Sequence, residues 1–191
     1  MRQFLVVLAI IAFVIIGGLI IFAIPWGGSD SEKESQKQIA LTEFANTGAS
    51  AQLQIRGRVV SNKEHQGMTI SVNRNEVVAT IFNGYDFTEV KSTRNSNNQE
   101  SFEVFLSALY NAGFTLRQKP RQGVSIPGIC ASGELYNYSL VNVTIDGAPE
   151  PAWGTSCSRK DGDFAGSISS VNKLFQDQVV EYDELTLGTE F

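Results

Sequence analysis

Histidine and cysteine are scarce in this sequence, which argues against most metal and nucleophilic chemistry. His65 is the single histidine among 191 residues, and Cys130 and Cys157 are the only cysteines. A structural zinc site takes four such ligands, and a catalytic thiol needs a partner that lowers its pKa. The GxSxG, HExxH, GxGxxG and P-loop patterns are also absent. We therefore expect no catalytic residue, no metal site and no cofactor.

Two further observations bear on catalysis. His65 lies in the polar turn Asn62–Gly67, where we expect its side chain to be exposed to solvent. A hydrolase with no recognisable motif remains an alternative, because an Asp and a Glu distant in sequence can converge in the fold.

Charge is missing altogether from Phe4 to Ile24, a run of 21 residues. A helix of that length measures roughly 31 Å, the thickness of the hydrocarbon core of a bilayer. A cleaved signal peptide has a shorter apolar core and ends at a small-x-small site, which Phe22 to Trp26 does not provide. We predict that residues 1–26 form a cytoplasmic stub and an uncleaved transmembrane signal-anchor.

The remainder of the chain is predicted to lie outside the cytoplasmic membrane. Arg2 and the terminal amine favour an N-terminus inside the cell, and residues 27–38 have the polar composition of a flexible linker. Without Arg2, the 15 basic residues become 14 against 20 acidic ones, a formal charge of −6. A surface with this net negative charge lacks the basic character that binds nucleic acid, so we expect no nucleic-acid partner. Residues 39–191 are long enough for one extracytoplasmic domain.

Alternation of apolar and polar residues predicts an antiparallel meander at the start of this domain. Three strands are expected, near 53–59, 68–72 and 77–82, and a longer one is expected over 135–145. Such a sheet has one apolar and one polar face, and its apolar face needs a cover. Phe114 and Leu116 are expected to begin another strand.

Helical spacing of apolar residues predicts the elements that cover the sheet. Phe102, Phe105, Leu106, Leu109 and Tyr110 share one face between Asn97, an expected cap, and Gly113. A second helix is expected near 167–179, and a short one near 39–44. The fold class is therefore predicted to be α+β, with an antiparallel sheet covered by two helices.

Two segments are predicted to be loops that can contact a partner. The first covers 85–97, and the second covers 117–128, which is rich in proline and glycine. The second carries Arg117, Lys119 and Arg121, a candidate binding cluster for an anionic polymer or lipid head groups. An ordinary solvated loop is the alternative, because three screened charges give little affinity.

Cys130 and Cys157 are predicted to form a disulfide bond. Thiols outside a bacterial cytoplasmic membrane become oxidised, and an even count of cysteines in an exported domain indicates pairing. A bridge that encloses 26 residues restricts the unfolded chain by roughly 3.5 kcal/mol in the entropic description.

The C-terminal third carries a resemblance. The order GICASGELY with Cys130, then WGTSC with Cys157, then LFQDQV resembles uncharacterised bacterial single-pass membrane proteins with a small disulfide-bonded extracytoplasmic domain. The resemblance implies a place in the cell envelope more than an activity. We expect a binding protein whose partner is a protein or another envelope component.

A pilin-like or secretion-system subunit is the main alternative, because pilins also have an N-terminal apolar helix, an antiparallel sheet and often a late disulfide. The sequence departs from the pilin pattern in two respects. No glycine stands before Phe4 and no glutamate lies in the apolar run. Pro25 also interrupts the long helix that pilins use for packing.

Overall fold

The computed structural model describes residues 40–123, 126 and 128–191, which all belong to one compact unit. The predicted anchor, residues 1–26, and the predicted linker, residues 27–38, lie outside the described residues. Within the described ranges, no helix is long and apolar enough to cross a bilayer.

A six-stranded antiparallel sheet forms the body of the domain. Its strands are β1 (Ser50–Arg56), β2 (Gln66–Val72), β3 (Glu76–Asn83), β4 (Thr88–Ser96), β5 (Leu135–Val141) and β6 (Ala152–Thr155). Their order is β4-β3-β2-β1-β5-β6, so the first four strands form a meander and β5 pairs with β1. The predicted meander is confirmed, and it has one more strand than expected.

Among the residues that the structure describes, the helical layer consists of a 3-10 helix and three α-helices. These are the 3-10 helix Leu41–Phe44, α1 (Gln99–Asn111), α2 (Ile168–Gln176) and α3 (Tyr182–Thr186). The predicted α+β class, an antiparallel sheet with helices, is confirmed. The short helix expected near residue 39 is present as a single 3-10 turn.

Caps define the ends of the two longer helices. The side chain of Asn98, not that of the predicted Asn97, accepts a hydrogen bond from Ser101 N at 2.9 Å. Asn97 instead donates through Nδ2 to Asn73 O at 2.7 Å, so it ties the helix start to the β2–β3 turn. The expected role of Gly113 is confirmed, because its φ of +86° is the left-handed conformation that follows a helix end.

Alternate residues of the strands and the apolar sides of the helices share one core. On β1, Leu53 and Ile55 are buried, whereas Gln52 and Gln54 on the opposite face are partly exposed. Phe102 and Phe175, from α1 and α2, are fully buried in the same cluster. Burial of such side chains stabilises each by about 1.5–3 kcal/mol, which explains why the helices cover only this face.

Several expectations about secondary structure were wrong. Residues 88–96, predicted as part of a loop, form β4, and the strand expected from Phe114 is reduced to one isolated bridge between Arg117 and Phe164. β5 ends at Val141 rather than at 145. The next residue, Asn142, has a φ of +56°, which interrupts an extended chain.

Cys130 and Cys157 lie at disulfide-bonding distance, with their Cα atoms 5.7 Å apart. The predicted pairing is confirmed at this level, and the pair joins the segment before β5 to the segment after β6. Gly133 lies against it, because a Cβ atom there would be 2.7 Å from Cys130 Sγ and 2.4 Å from Ser156 Oγ. A larger residue at position 133 would therefore displace the sulfur atoms or the serine.

Candidate functional site

The face of the sheet opposite the core is the main candidate surface, and we call it the open face. Its side chains alternate along each strand with those of the core, so strand register decides which of them are neighbours. The central row crosses all six strands in register and consists of Trp153, Asn137, Gln54, Thr69, Thr80 and Ser92.

The central row contains no charged side chain. A flanking row consists of Ser139, Gln52, Ser71, Val78 and Arg94. Its one charged member, Arg94, lies on the edge strand and pairs with the carboxylate of Glu76. Charged side chains contact the central row from its borders: Arg56 Nε donates to Gln54 Oε1 at 3.3 Å, and Glu89 Oε1 accepts from Ser92 Oγ at 2.7 Å.

These side chains are accessible. All members of the central row are partly or fully exposed, and Thr69 and Thr80 at its middle make no side-chain hydrogen bond within the described chain. Asn137 Nδ2 donates to Gln54 Oε1 at 3.3 Å, which orients both amides along the row. The row therefore presents hydroxyl and amide groups that can bond to a partner.

An aromatic cluster lies at one end of the open face. The ring of Phe82 lies over Gly67, where a Cβ atom would approach it to 2.4 Å, so glycine is needed at that position. Phe87 packs on Phe82 with ring centroids 4.7 Å apart, and the guanidinium carbon of Arg56 lies 4.8 Å from the centroid of Phe87. Phe87 is 40% exposed, so this end adds apolar surface to the polar rows.

His65 is buried, and the expectation of an exposed side chain was wrong. Its ring is 3% exposed and stacks on Tyr85, with centroids 4.0 Å apart and an interplanar angle of 8°. His65 Nδ1 lies 3.2 Å from Arg58 O, and the Tyr85 hydroxyl donates to Val60 O at 3.0 Å. These contacts hold the β1–β2 connection against the β3–β4 turn, so His65 contributes to the packing of the two loops.

The structure does not gather the predicted basic cluster into a free patch. Arg117 is half-buried and donates to Phe114 O at 2.8 Å and to Glu150 O, and burial lowers the pKa of its guanidinium. Arg121 pairs with the buried carboxylate of Asp161 at 3.0 Å. Lys119 is exposed. A binding role for these residues remains a prediction.

The segment that carries these residues extends the sheet beyond β6. Phe164 N donates to Trp153 O at 3.0 Å, and Gln118 N donates to Asp163 O at 2.8 Å. Asp163 Oδ1 in turn accepts from Trp153 N at 2.7 Å. The edge of β6 is therefore paired, and the backbone N and O of Trp153, at the end of the central row, both bond to the 163–164 segment.

Three tyrosines lie behind the sheet, the buried Tyr136 and Tyr138 and the half-buried Tyr182, and we call them the core tyrosines. Burial is the main cause that raises the pKa of each phenol above its ordinary value. The Tyr138 hydroxyl donates to Asn172 Oδ1 at 2.8 Å, and the Tyr136 hydroxyl donates to the carboxylate of Glu134. The neutral phenols of Tyr136 and Tyr138 stabilise the core through these hydrogen bonds.

Sequence reasoning missed the open face as a site, although the alternation of Gln52 and Gln54 with apolar residues indicated a polar face. The missing information was the register of β5, β6 and β4, which brings distant Asn137, Trp153 and Ser92 into the same row. No protein-family model, curated protein or solved structure matches this chain.

Proposed function

We propose that this protein is a membrane-anchored extracytoplasmic binding protein, and that the open face of its sheet contacts another component of the cell envelope. The uncharged run from Phe4 to Ile24 supports the anchor and the placement outside the cytoplasmic membrane. The disulfide-bonding distance of the cysteines agrees with an oxidising compartment.

The observation that carries the binding role is the uncharged central row. Centres of interfaces are depleted in charged residues because an unpaired charge loses its hydration on contact. Thr69 and Thr80 at the middle of the row are partly exposed, and their hydroxyls make no hydrogen bond within the described chain. Each helix buries its apolar side on the opposite face. The row is therefore a surface that a partner can cover at little electrostatic cost.

A charge at the middle of the row tests this proposal. Thr69→Lys places an ammonium group between Gln54 and Thr80, its neighbours in register. Thr42→Lys is the matched control, because Thr42 is exposed on the 3-10 helix of the helical layer. Both full-length variants are solubilised in detergent and sedimented with envelope material from host cells that lack the protein.

We expect the parent and Thr42→Lys to sediment with the envelope material and Thr69→Lys to remain in the supernatant. Circular dichroism and melting curves verify that all three are folded. Equal sedimentation of the two variants would contradict a role for the open face. If neither the parent nor the variants sedimented with the envelope material, the binding function itself would be refuted.

A further inference from the structure

We propose that the partner of the open face is a neutral glycan chain, which lies across the strands along the central row. This inference rests on the proposed function and names the chemistry of its partner. It follows from the kind of polar group in the row, from the bonding capacity left in those groups, and from the shape of the surface.

The row consists of groups that both donate and accept hydrogen bonds. A threonine or serine hydroxyl offers one donor and two acceptor positions, and the amides of Gln54 and Asn137 offer both kinds of atom. Sugar hydroxyls have the same dual character. A surface made of hydroxyls and amides therefore pairs with a sugar chain without leaving a buried charge or an unmatched donor.

Much of this capacity is left unused within the described chain. Gln54 Oε1 accepts from Arg56 Nε and from Asn137 Nδ2, both at 3.3 Å, so the donors of Gln54 and the acceptor of Asn137 still face solvent. The hydroxyls of Thr69 and Thr80 have no side-chain partner there. Four consecutive strands thus present open bonding positions in one line.

Trp153 supplies the apolar contact that a sugar ring needs at one end of the line. Its side chain is partly exposed beside Asn137, its neighbour in register. Aromatic rings pack against the C–H face of a sugar, and the indole N–H adds a donor. The backbone bonds of Trp153 to Asp163 and Phe164 fix the residue at that place.

The shape of the surface favours a chain over a compact ligand. Five steps between six strands, at about 4.8 Å each, make a line of roughly 24 Å. A small molecule would need a concave pocket, and the central row lies on a sheet surface. Nucleic acid, an acidic peptide or lipid head groups would need several free cations. Arg56 borders the row through its bond to Gln54, and Arg94 in the flanking row is paired with Glu76.

The experiment uses the full-length protein in detergent and a defined probe. The probe is the neutral polysaccharide fraction of host envelopes, digested with protease and freed of anionic material on an anion exchanger. One portion is oxidised with periodate, which cleaves sugar diols and leaves amides intact. Affinity for both portions is measured for the parent, Gln54→Glu, Thr69→Lys and Thr42→Lys.

We expect the parent and Thr42→Lys to bind the intact fraction and to lose binding after oxidation. Gln54→Glu keeps the shape of the side chain but replaces donors by a charge, so we expect it and Thr69→Lys to bind about tenfold more weakly or worse. Gln54→Glu also serves where Thr69→Lys is unstable, because a glutamate still accepts the two bonds that Gln54 accepts.

Two results would overturn the glycan proposal and remain distinct from failure of the proposed function. Loss of envelope binding after protease digestion, with open-face variants still impaired on untreated envelopes, would make the partner a protein. Unchanged binding after periodate oxidation would exclude sugar diols as the bound groups. Absence of binding to untreated envelopes would refute the proposed function as well.

Discussion

Loss of the hydroxyl of Tyr138 tests whether the hydrogen bond between β5 and α2 stabilises the core. Tyr138 on β5 is fully buried, and its hydroxyl donates to Oδ1 of Asn172 on α2 at 2.8 Å. Tyr138→Phe keeps the ring and leaves Asn172 Oδ1 without this donor. A buried acceptor deprived of its partner costs about 1–3 kcal/mol, more than the net value of the bond.

The second arm of the test is Asn172→Leu, which leaves the Tyr138 hydroxyl unpaired at a similar cost. The double variant replaces both polar groups by apolar ones, so neither is left unsatisfied. We therefore expect the double variant to lose clearly less than the sum of the single losses, with a coupling of about 1 kcal/mol. Urea unfolding of residues 39–191, monitored by circular dichroism, gives the free energies of unfolding of the parent and of the three variants.

Two results would contradict a hydrogen bond between Tyr138 and Asn172 that stabilises the core. A Tyr138→Phe variant within about 0.3 kcal/mol of the parent would mean that the hydroxyl does not bond to Asn172 in solution. Additive losses in the double variant, within about 0.5 kcal/mol, would mean that the two side chains do not depend on each other.

Three other predictions concern stability. Cys130→Ser and Cys157→Ser should each cost about 2–5 kcal/mol, and the double variant should cost no more, because each change removes the same bond; thermal melting measures this. Gly67→Ala should lose about 1–3 kcal/mol in urea unfolding, since its Cβ would lie 2.4 Å from the Phe82 ring. The core tyrosines have raised pKa values, so just above pH 10 these three phenols ionise more readily in the unfolded chain, and the free energy of unfolding should fall from there as pH rises. Phenolate absorbance that rises together with unfolding would confirm this, and full ionisation of the folded protein near pH 10 would contradict it.

The sequence predicted those helices and strands in which apolar residues recur at regular spacing. The apolar spacing of α1 ends at Gly113 in the structure as in the sequence, and the alternation of β1 to β3 is that of a half-buried sheet. These elements bury one face, so the hydrophobic effect alone fixes their type and their orientation.

β4 could not be predicted in this way because it buries neither face. Its residues are exposed or partly exposed throughout, and it is a strand because it pairs with β3. Lys91 donates through Nζ to Glu184 O at 2.7 Å, which connects β4 to α3. Pairing and such long-range contacts depend on the tertiary structure, and a polar sequence carries little sign of them.

The same limit applied to the candidate sites. Three basic residues within five positions indicated a cluster, yet Arg117 and Arg121 turn to carbonyl and carboxylate partners that are far away in sequence. His65 was expected on the surface because its neighbours are polar, but Tyr85 covers its ring. Tertiary packing decides which distant residues a side chain contacts, and the local sequence does not show these partners.

The most direct measurement is photo-crosslinking in living cells from the middle of the open face. A benzophenone-bearing residue is introduced at position 69 in the full chain, and at position 42 as the control. We expect an irradiation-dependent adduct from position 69 that position 42 does not give. An equal adduct from both positions, or an adduct from position 42 alone, would contradict the claim that the open face is the binding surface.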